Sequence, residues 1–326
     1  MKRRILLSIL GAAAFAVAGI SPATAQDYPI KPVKIVVPYA PGGSPDTVAR
    51  ITAQQLTAIL GQPVLIDNLA GSSGIAGIEN VKNAAPDGYT LLVADAAHWA
   101  VNRVIKKKLP YDAQKDLVPI GMLTTSSLFL TVHESFPAKN LQELVAAVKA
   151  KPGFYTYGSS GVGSLHNLTM EAFKAGLGLD ILHVPYKGTG QSVPALVGGQ
   201  VSMAVAAYNS VAPFANAGKV RIIAANTLAS SPILPQFPPM GDAGLKDFDF
   251  PGENALFAPA GTPRAVVDKL VAAVARAINV PDAVARFNAA GVEPSRTPTP
   301  AALAETIRRD MPKYAQAVRA AGIQPE

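Results

Sequence analysis

Val33-Lys34-Ile35-Val36-Val37-Pro38-Tyr39-Ala40-Pro41-Gly42-Gly43-Ser44-Pro45-Asp46 runs from a β-branched stretch, through two prolines, into a turn of small residues. Thr47 to Leu60 follows, with Val48, Ile51, Leu56 and Ile59 at helical spacing. The segment therefore reads as strand (Val33 to Tyr39), Gly-rich turn, helix. Asp46 falls in the first turn of that helix, where a carboxylate satisfies free N–H groups and complements the helix dipole. Ligand contact is the alternative role for it.

The same grammar recurs along the chain. Val64 to Asn68 and Tyr89 to Ala94 read as strands, with a helix from Ile75 to Asn83 between them. Leu128 to His133, Phe154 to Tyr157, Ile181 to Pro185, Ser202 to Ala206 and Val220 to Ala225 read as further strands. Leu141 to Lys149 and Leu165 to Ala175 read as helices. Thr262 is expected to cap a long helix with Pro263 at its first position, running to Ile278, and helices over Ala283 to Ala290 and Ala301 to Ala321 close the chain. Strands alternating with helices imply mostly parallel sheets flanked by helices. About 300 residues exceed what one core holds, so two α/β lobes are expected, with a cleft at the carboxyl ends of their strands.

Two copies of Gly-Ser-Ser-Gly, Gly71-Ser72-Ser73-Gly74 and Gly158-Ser159-Ser160-Gly161, each separate a strand from a helix. Such turns leave backbone N–H groups unpaired at the positive end of a helix, which attracts an anion. With the turn at Pro41 to Asp46 they suggest a site gripped from both lobes, although helix capping alone is the commonest use of Gly and Ser. No loop completes a nucleotide motif: Gly161-Val162-Gly163-Ser164-Leu165-His166 lacks the last Gly of the dinucleotide fingerprint, and no cofactor is expected.

Composition narrows the class. Lys2, Arg3 and Arg4, an apolar stretch from Ile5 to Ile20 and Ala23-Thr24-Ala25 read as an export signal with cleavage expected after Ala25, a retained anchor being the alternative. The chain has no cysteine, which excludes a disulfide framework, a thiol nucleophile and a lipid-modified cysteine. Losing the signal removes three charges from the formal +7. Lys106-Lys107-Lys108 has no interleaved aromatics and reads as a solvated face, not a nucleic-acid surface. A periplasmic monomer is the expectation.

Enzymatic chemistry finds little support. Ser160, His166, His183, Asp180 and Asp95 could supply a hydrolase, but Val162 stands where a nucleophile elbow needs Gly. The 4 histidines are His98, His133, His166 and His183, none at zinc-type spacing, so no metal is expected. Trp99, the only tryptophan, is either core filler or a pocket wall that stacks on a flat ligand. If Asp46 or Asp95 points into the cleft, the ligand should carry an ammonium group. Otherwise a di- or tricarboxylate or an aromatic monoacid is expected.

At this point the residues resemble a known family. Val37-Pro38-Tyr39-Ala40-Pro41-Gly42-Gly43 with Asp46, Ala49 and Arg50 is similar to the first signature of the Bug receptors, the TctC-like solute-binding proteins of tripartite tricarboxylate transporters. Asn68, Gly71, Gly74 and Gly77 match a second. Pro86-Asp87-Gly88-Tyr89-Thr90-Leu91-Leu92, His183-Val184-Pro185-Tyr186-Lys187-Gly188, Gly198-Gly199-Gln200-Val201 and Ala258-Pro259-Ala260-Gly261-Thr262-Pro263 follow in order.

The resemblance implies a type II, Venus-flytrap periplasmic binding protein that closes over a small carboxylate and presents it to the transporter's membrane subunits. A sensory module serving a membrane kinase is the alternative. It implies lobes formed by residues 26–125 with 248–326 and by 126–247, after a signal at 1–25. By matching positions it places ligand contacts at Gly42, Gly43 and Ser44 in one lobe and at Ser160, Gly161, Gly163 and Ser164 in the other. Tyr39, Pro41, Asp46, Ser72, Ser73, Asp95, Ala97, Trp99, Ser159, His166, Tyr186 and Lys187 complete the candidate site. Ser72 and Ser73 replace small residues usual in the second signature, and Trp99 takes a position where His is frequent, so ligand identity is left open.

Overall fold

The computed structural model describes residues 28–227, 230–245, 248–320 and 322–325, with backbone alone at Ser72 and Ala320. The expected export signal, its cleavage site and the expected helix end at Ala321 lie outside these residues. Four strands, β1 (Val33–Val37), β2 (Val64–Asn68), β3 (Thr90–Ala94) and β4 (Leu117–Ser126), lead from the amino-terminal side. Five more follow: β5 (Leu128–His133), β6 (Thr156–Ser159), β7 (Leu182–Pro185), β8 (Met203–Ala207) and β9 (Val220–Ala225). Strands β10 (Gly252–Pro259) and β11 (Val292–Pro294) then return to the first group.

The strands assort into two sheets, ordered β11-β4-β10-β3-β1-β2 and β7-β6-β8-β5-β9. Most strands of each sheet run one way, as expected. The exceptions are β10 and β11 in the first sheet and β5 in the second, which run antiparallel to their neighbours. Sequence reading finds neither β4 nor β10, because Pro119 and Gly121 interrupt one and Glu253 and Asn254 open the other. Both strands are nonetheless central, and β10 is buried from end to end.

Helices flank the sheets: α1 (Ser44–Leu60), α2 (Ile75–Lys82), α3 (Leu141–Ala150), α4 (Leu165–Leu177), α5 (Thr189–Val197), α6 (Tyr208–Asn216), α7 (Arg264–Ala277), α8 (Pro281–Ala289) and α9 (Pro300–Ala320). Helix α1 buries Val48, Ile51, Thr52 and Leu56 on one stripe against α7, whose Val267, Leu270 and Val274 repeat at helical spacing. Gly61 ends α1 in the left-handed conformation, its N–H bonded to Thr57 O. Thr262 does not cap α7: its hydroxyl donates to Pro259 O at 2.8 Å, and the helix begins after Pro263. The hydroxyl is nearer the preceding turn than the helix it was expected to cap.

The chain crosses between sheets after Ser126 and again before Gly252. Asn226, fully buried, ties the crossings together: its Oδ1 accepts from Leu128 N at 2.7 Å and its Nδ2 donates to Phe250 O at 2.5 Å. Helix α9 lies across this junction, packing on β4 of the first lobe and on α4 of the second. Among the described residues no helix is long and apolar enough to cross a membrane.

Candidate ligand site between the lobes

Each lobe brings its turns to the carboxyl ends of parallel strands. In the first, Asp46 organises the turn after β1: its carboxylate accepts from Gly42 N at 3.0 Å, Arg50 Nε at 3.0 Å and Asn68 Nδ2 at 3.1 Å. Burial works against the ionised form, yet the bonds from Arg50, Gly42 and Asn68 hold this carboxyl below the ordinary range. Asp46 is thus committed within its own lobe, and the Gly42 amide with it. Gly43 and Ser44 keep N–H groups with no hydrogen-bond partner among the described residues, and the Ser44 hydroxyl is buried without one.

Asp95, just past β3, is the centre of a second network. Its Oδ2 accepts from the Tyr39 hydroxyl at 2.7 Å and its Oδ1 from Ala97 N at 3.0 Å. His98 Nδ1 lies 2.9 Å from Oδ1 and also 3.2 Å from the Asp95 N–H. One nitrogen serves one of these at a time, the carboxylate when it carries a proton. Although burial raises Asp95, His98 and Tyr39 together hold it below the usual carboxylate range. The opposite pressure acts on Tyr39, whose buried hydroxyl beside that charge is pushed far up.

Residues Ala97–Val101 form a wide π turn, which decides the fate of Trp99. The ring packs on Phe257, centroids 5.9 Å apart, inside the core. It borders a small cavity of about 90 Å³ with Arg103, Leu109 and Tyr111, not the turns of the other lobe. Of its two expected roles, core filler and pocket wall, the packing favours the first.

In the second lobe the turn after β6 is largely closed on itself. The Ser159 hydroxyl, fully buried, accepts from Gly161 N at 3.1 Å and contacts His183 Nε2 at 2.6 Å. His183 stacks on Tyr157. Gly163 N donates to Asn167 Oδ1 at 2.9 Å, and Ser164 caps α4, accepting from Asn167 N at 3.2 Å and donating to Gly161 O at 2.7 Å. Ser164 is thus a capping residue and not a free hydroxyl for a ligand. Ser160, 5% exposed, keeps an uncommitted hydroxyl, and Leu165 and His166 keep N–H groups without partners among the described residues.

His166 sits in the first turn of α4, within reach of the Asp95 charge from the other lobe. Burial lowers its pKa to about 4 against the opposing pull of Asp95, so the ring is neutral at pH 7. Tyr186 packs instead among Val184 and Leu196 of its own lobe, and Lys187 is exposed. Tyr186 nonetheless stays beside the turn after β6, its N–H donating to Ser159 O at 3.1 Å. Pro41 is likewise exposed, at the rim of the cleft, and the side chain of Ser72 lies outside the described atoms.

The two sets of turns meet. Ser73 of the first Gly-Ser-Ser-Gly donates its hydroxyl to Val162 O, beside the second, at 2.7 Å, while Asn102 Nδ2 holds Ser73 O at 3.1 Å. At the other end of the cleft Asn209 Nδ2 donates to Thr47 Oγ1 at 2.9 Å and Ser210 Oγ to Gly42 O at 3.3 Å. Gly188 approaches Ala40, and a Cβ on Gly43 would lie 2.7 Å from Thr189 Oγ1. Sequence reading missed Asn102, Thr189, Asn209 and Ser210. The last three lie in the first turns of α5 and α6, the helices that follow β7 and β8, near the strand ends where ligands bind in such sheets.

Two α/β lobes closing at a double crossover, with helix N-termini turned toward the cleft, define a two-lobed periplasmic-type solute-binding protein. Residues 48–322 match the model of the tripartite tricarboxylate transporter family receptor, and the chain belongs to that family. It is 33% identical over 319 residues to protein BugT of Bordetella pertussis, covering 97% of each chain. Among solved structures it resembles the periplasmic binding protein BugD, with TM-score 0.88 and 31% identity, covering 92% of this chain and 100% of that one. It also resembles MatC of Rhodopseudomonas palustris with bound malate, with TM-score 0.84 and 32% identity, covering 89% and 100%.

Proposed function

We propose that this protein is exported, with cleavage after Ala25, and captures a small organic acid between lobes formed by residues 26–125 with 248–326 and by 126–247. It then delivers the acid to the membrane subunits of a tripartite tricarboxylate transporter. The observation that carries the reading is the junction of the glycine-rich turns through Ser73 and Val162, beside the N-termini of α1 and α4 with their unpaired amides. Backbone donors at helix N-termini favour a carboxylate on electrostatic grounds. Closure is driven by the ligand's greater affinity for the joined form.

The ligand class follows from the aspartates. Both Asp46 and Asp95 are occupied by donors of their own lobe, so neither carboxylate is left to receive an ammonium group. A di- or tricarboxylate or an aromatic monoacid fits better than an amino acid. Malate in MatC accords with this. Calorimetric titration with malate, adipate, benzoate, aspartate and glutamate tests the reading. Binding of an acid without an amino group is expected, and exclusive binding of the amino acids would overturn the assignment.

A further inference from the structure

Below the cleft, at the crossover, lies a polar cluster with no part in ligand capture. Glu253 stands on β10 one residue after the chain rejoins the first sheet, opposite Thr125 of β4. Asp310 projects from α9. Glu253 is 4% exposed and Asp310 1%, their carboxyl groups hydrogen-bond one another, and Glu253 Oε2 is buried with no partner among the described residues. Two desolvated carboxylates in contact cannot both ionise without heavy repulsion, so such a pair is stable when it shares one proton.

The surroundings balance one charge, not two. Arg309 Nε holds Asp310 Oδ1 at 2.9 Å, and its Nη2 lies 3.8 Å from Glu253 Oε1. Lys313 is paired with Asp249 at 3.6 Å. The Tyr314 hydroxyl is buried without a partner among the described residues, in the field of Glu253, Asp310, Asp249 and, from the ligand-site loop, Asp95. Helix α9 carries Arg309, Asp310, Lys313 and Tyr314, and it packs on the π turn behind Asp95, on β4 and on α4 of the other lobe. Its seat on the crossover therefore bears on the angle between the lobes.

We propose that Glu253 and Asp310 form a proton-sharing latch that clamps helix α9 to the crossover and favours the closed arrangement of the lobes. With the proton present, Glu253 donates to Asp310 and the helix is held. With it lost, two carboxylates face each other beside one guanidinium, and the helix loosens from β10. Burial and the Asp310 charge raise the Glu253 carboxyl to about 8. Because this lies above the unfolded value, the stabilisation is greatest below the unfolded value and is lost as pH rises toward 8.

Small-angle scattering of the ligand-free protein at about pH 6.5 and about pH 9.5 tests the latch, one setting on each side of the titration. The wild type is expected to show a larger radius of gyration at the higher pH. Glu253→Gln, which keeps a donor and cannot ionise, is expected to stay at the smaller radius at both. Asp310→Asn, which removes the opposing charge by another route, is expected to lose the pH dependence as well, and it serves if the first variant does not fold. A wild-type radius that is the same at both settings would overturn the latch. So would variants that melt earlier yet keep the wild-type pH response, since that is the mark of a merely structural role.

Discussion

The two Gly-Ser-Ser-Gly turns share four residues and nothing else. In the first, Ser73 adopts the left-handed conformation with φ 55° and Gly74 follows with φ 83°, so the turn coils tightly and throws the Ser73 hydroxyl across to the other lobe. A side chain at Gly74 would run into His98, which packs against it. In the second, Gly158 and Ser159 are still in β6, Ser159 folds back on Gly161, and the chain needs Gly163 and Ser164 before α4 begins. The first turn is a bridge and the second a socket. A tetrapeptide of small residues sets what the backbone can do, and the flanking strand end and helix start decide which of those things it does.

This contrast can be broken from the socket side most strongly. Gly163 has φ 74°, and a Cβ there would overlap Ile105 of the opposite lobe. Gly163→Val should leave each lobe folded but block closure, weakening binding of malate or another accepted acid by about a hundredfold or more, as a barrier of several kcal/mol requires. Calorimetry checks it. Next, Ser160→Ala removes an uncommitted hydroxyl at the turn after β6 and, on the proposed carboxylate reading, should cost about tenfold in affinity, in the range of a hydrogen bond to a charged group. An unchanged dissociation constant would take Ser160 out of the site.

The bridge should matter less. Ser73→Ala loses one neutral hydrogen bond between lobes, worth about 1 kcal/mol, or roughly fivefold in affinity with little change in melting temperature. Ser164→Ala should do the reverse, lowering stability by about 1 kcal/mol through loss of the α4 cap while affinity changes little. A separate effect is expected from acid. His166 is held neutral with a pKa of about 4, below its unfolded value, so its contribution is intact above the unfolded value and is lost as pH falls toward 4. Melting curves between about pH 4 and 7 should be flatter for His166→Gln than for the wild type.

Much of this was legible in the residues. The run from Val33 to Leu60 declares strand, turn and helix by composition and spacing, and the glycine-rich turns are located by their position between such elements. Membership of the receptor family was carried by the ordered motifs. What escaped reading has a physical cause in each case. Strand β10 hides because Glu253 and Asn254 are polar yet buried, Glu253 against Asp310 and Asn254 bonded to Thr124. Trp99 stays open between core and pocket wall on sequence alone, because a lone aromatic after a strand suits both, and only the packing on Phe257 decides for the core. Ser164 looked like a ligand contact because a cap and an anion site use the same residue type at the same place.

A chain without cysteine allows two labels to be placed uniquely. Spin labels at Lys107→Cys in the first lobe and Lys187→Cys in the second, both exposed, report the distance between lobes directly. Saturating malate, or whichever acid calorimetry selects, should shift a broad distance distribution to a shorter and narrower one. A distribution unchanged by an acid that demonstrably binds would contradict the claim that the opposing turns close on it.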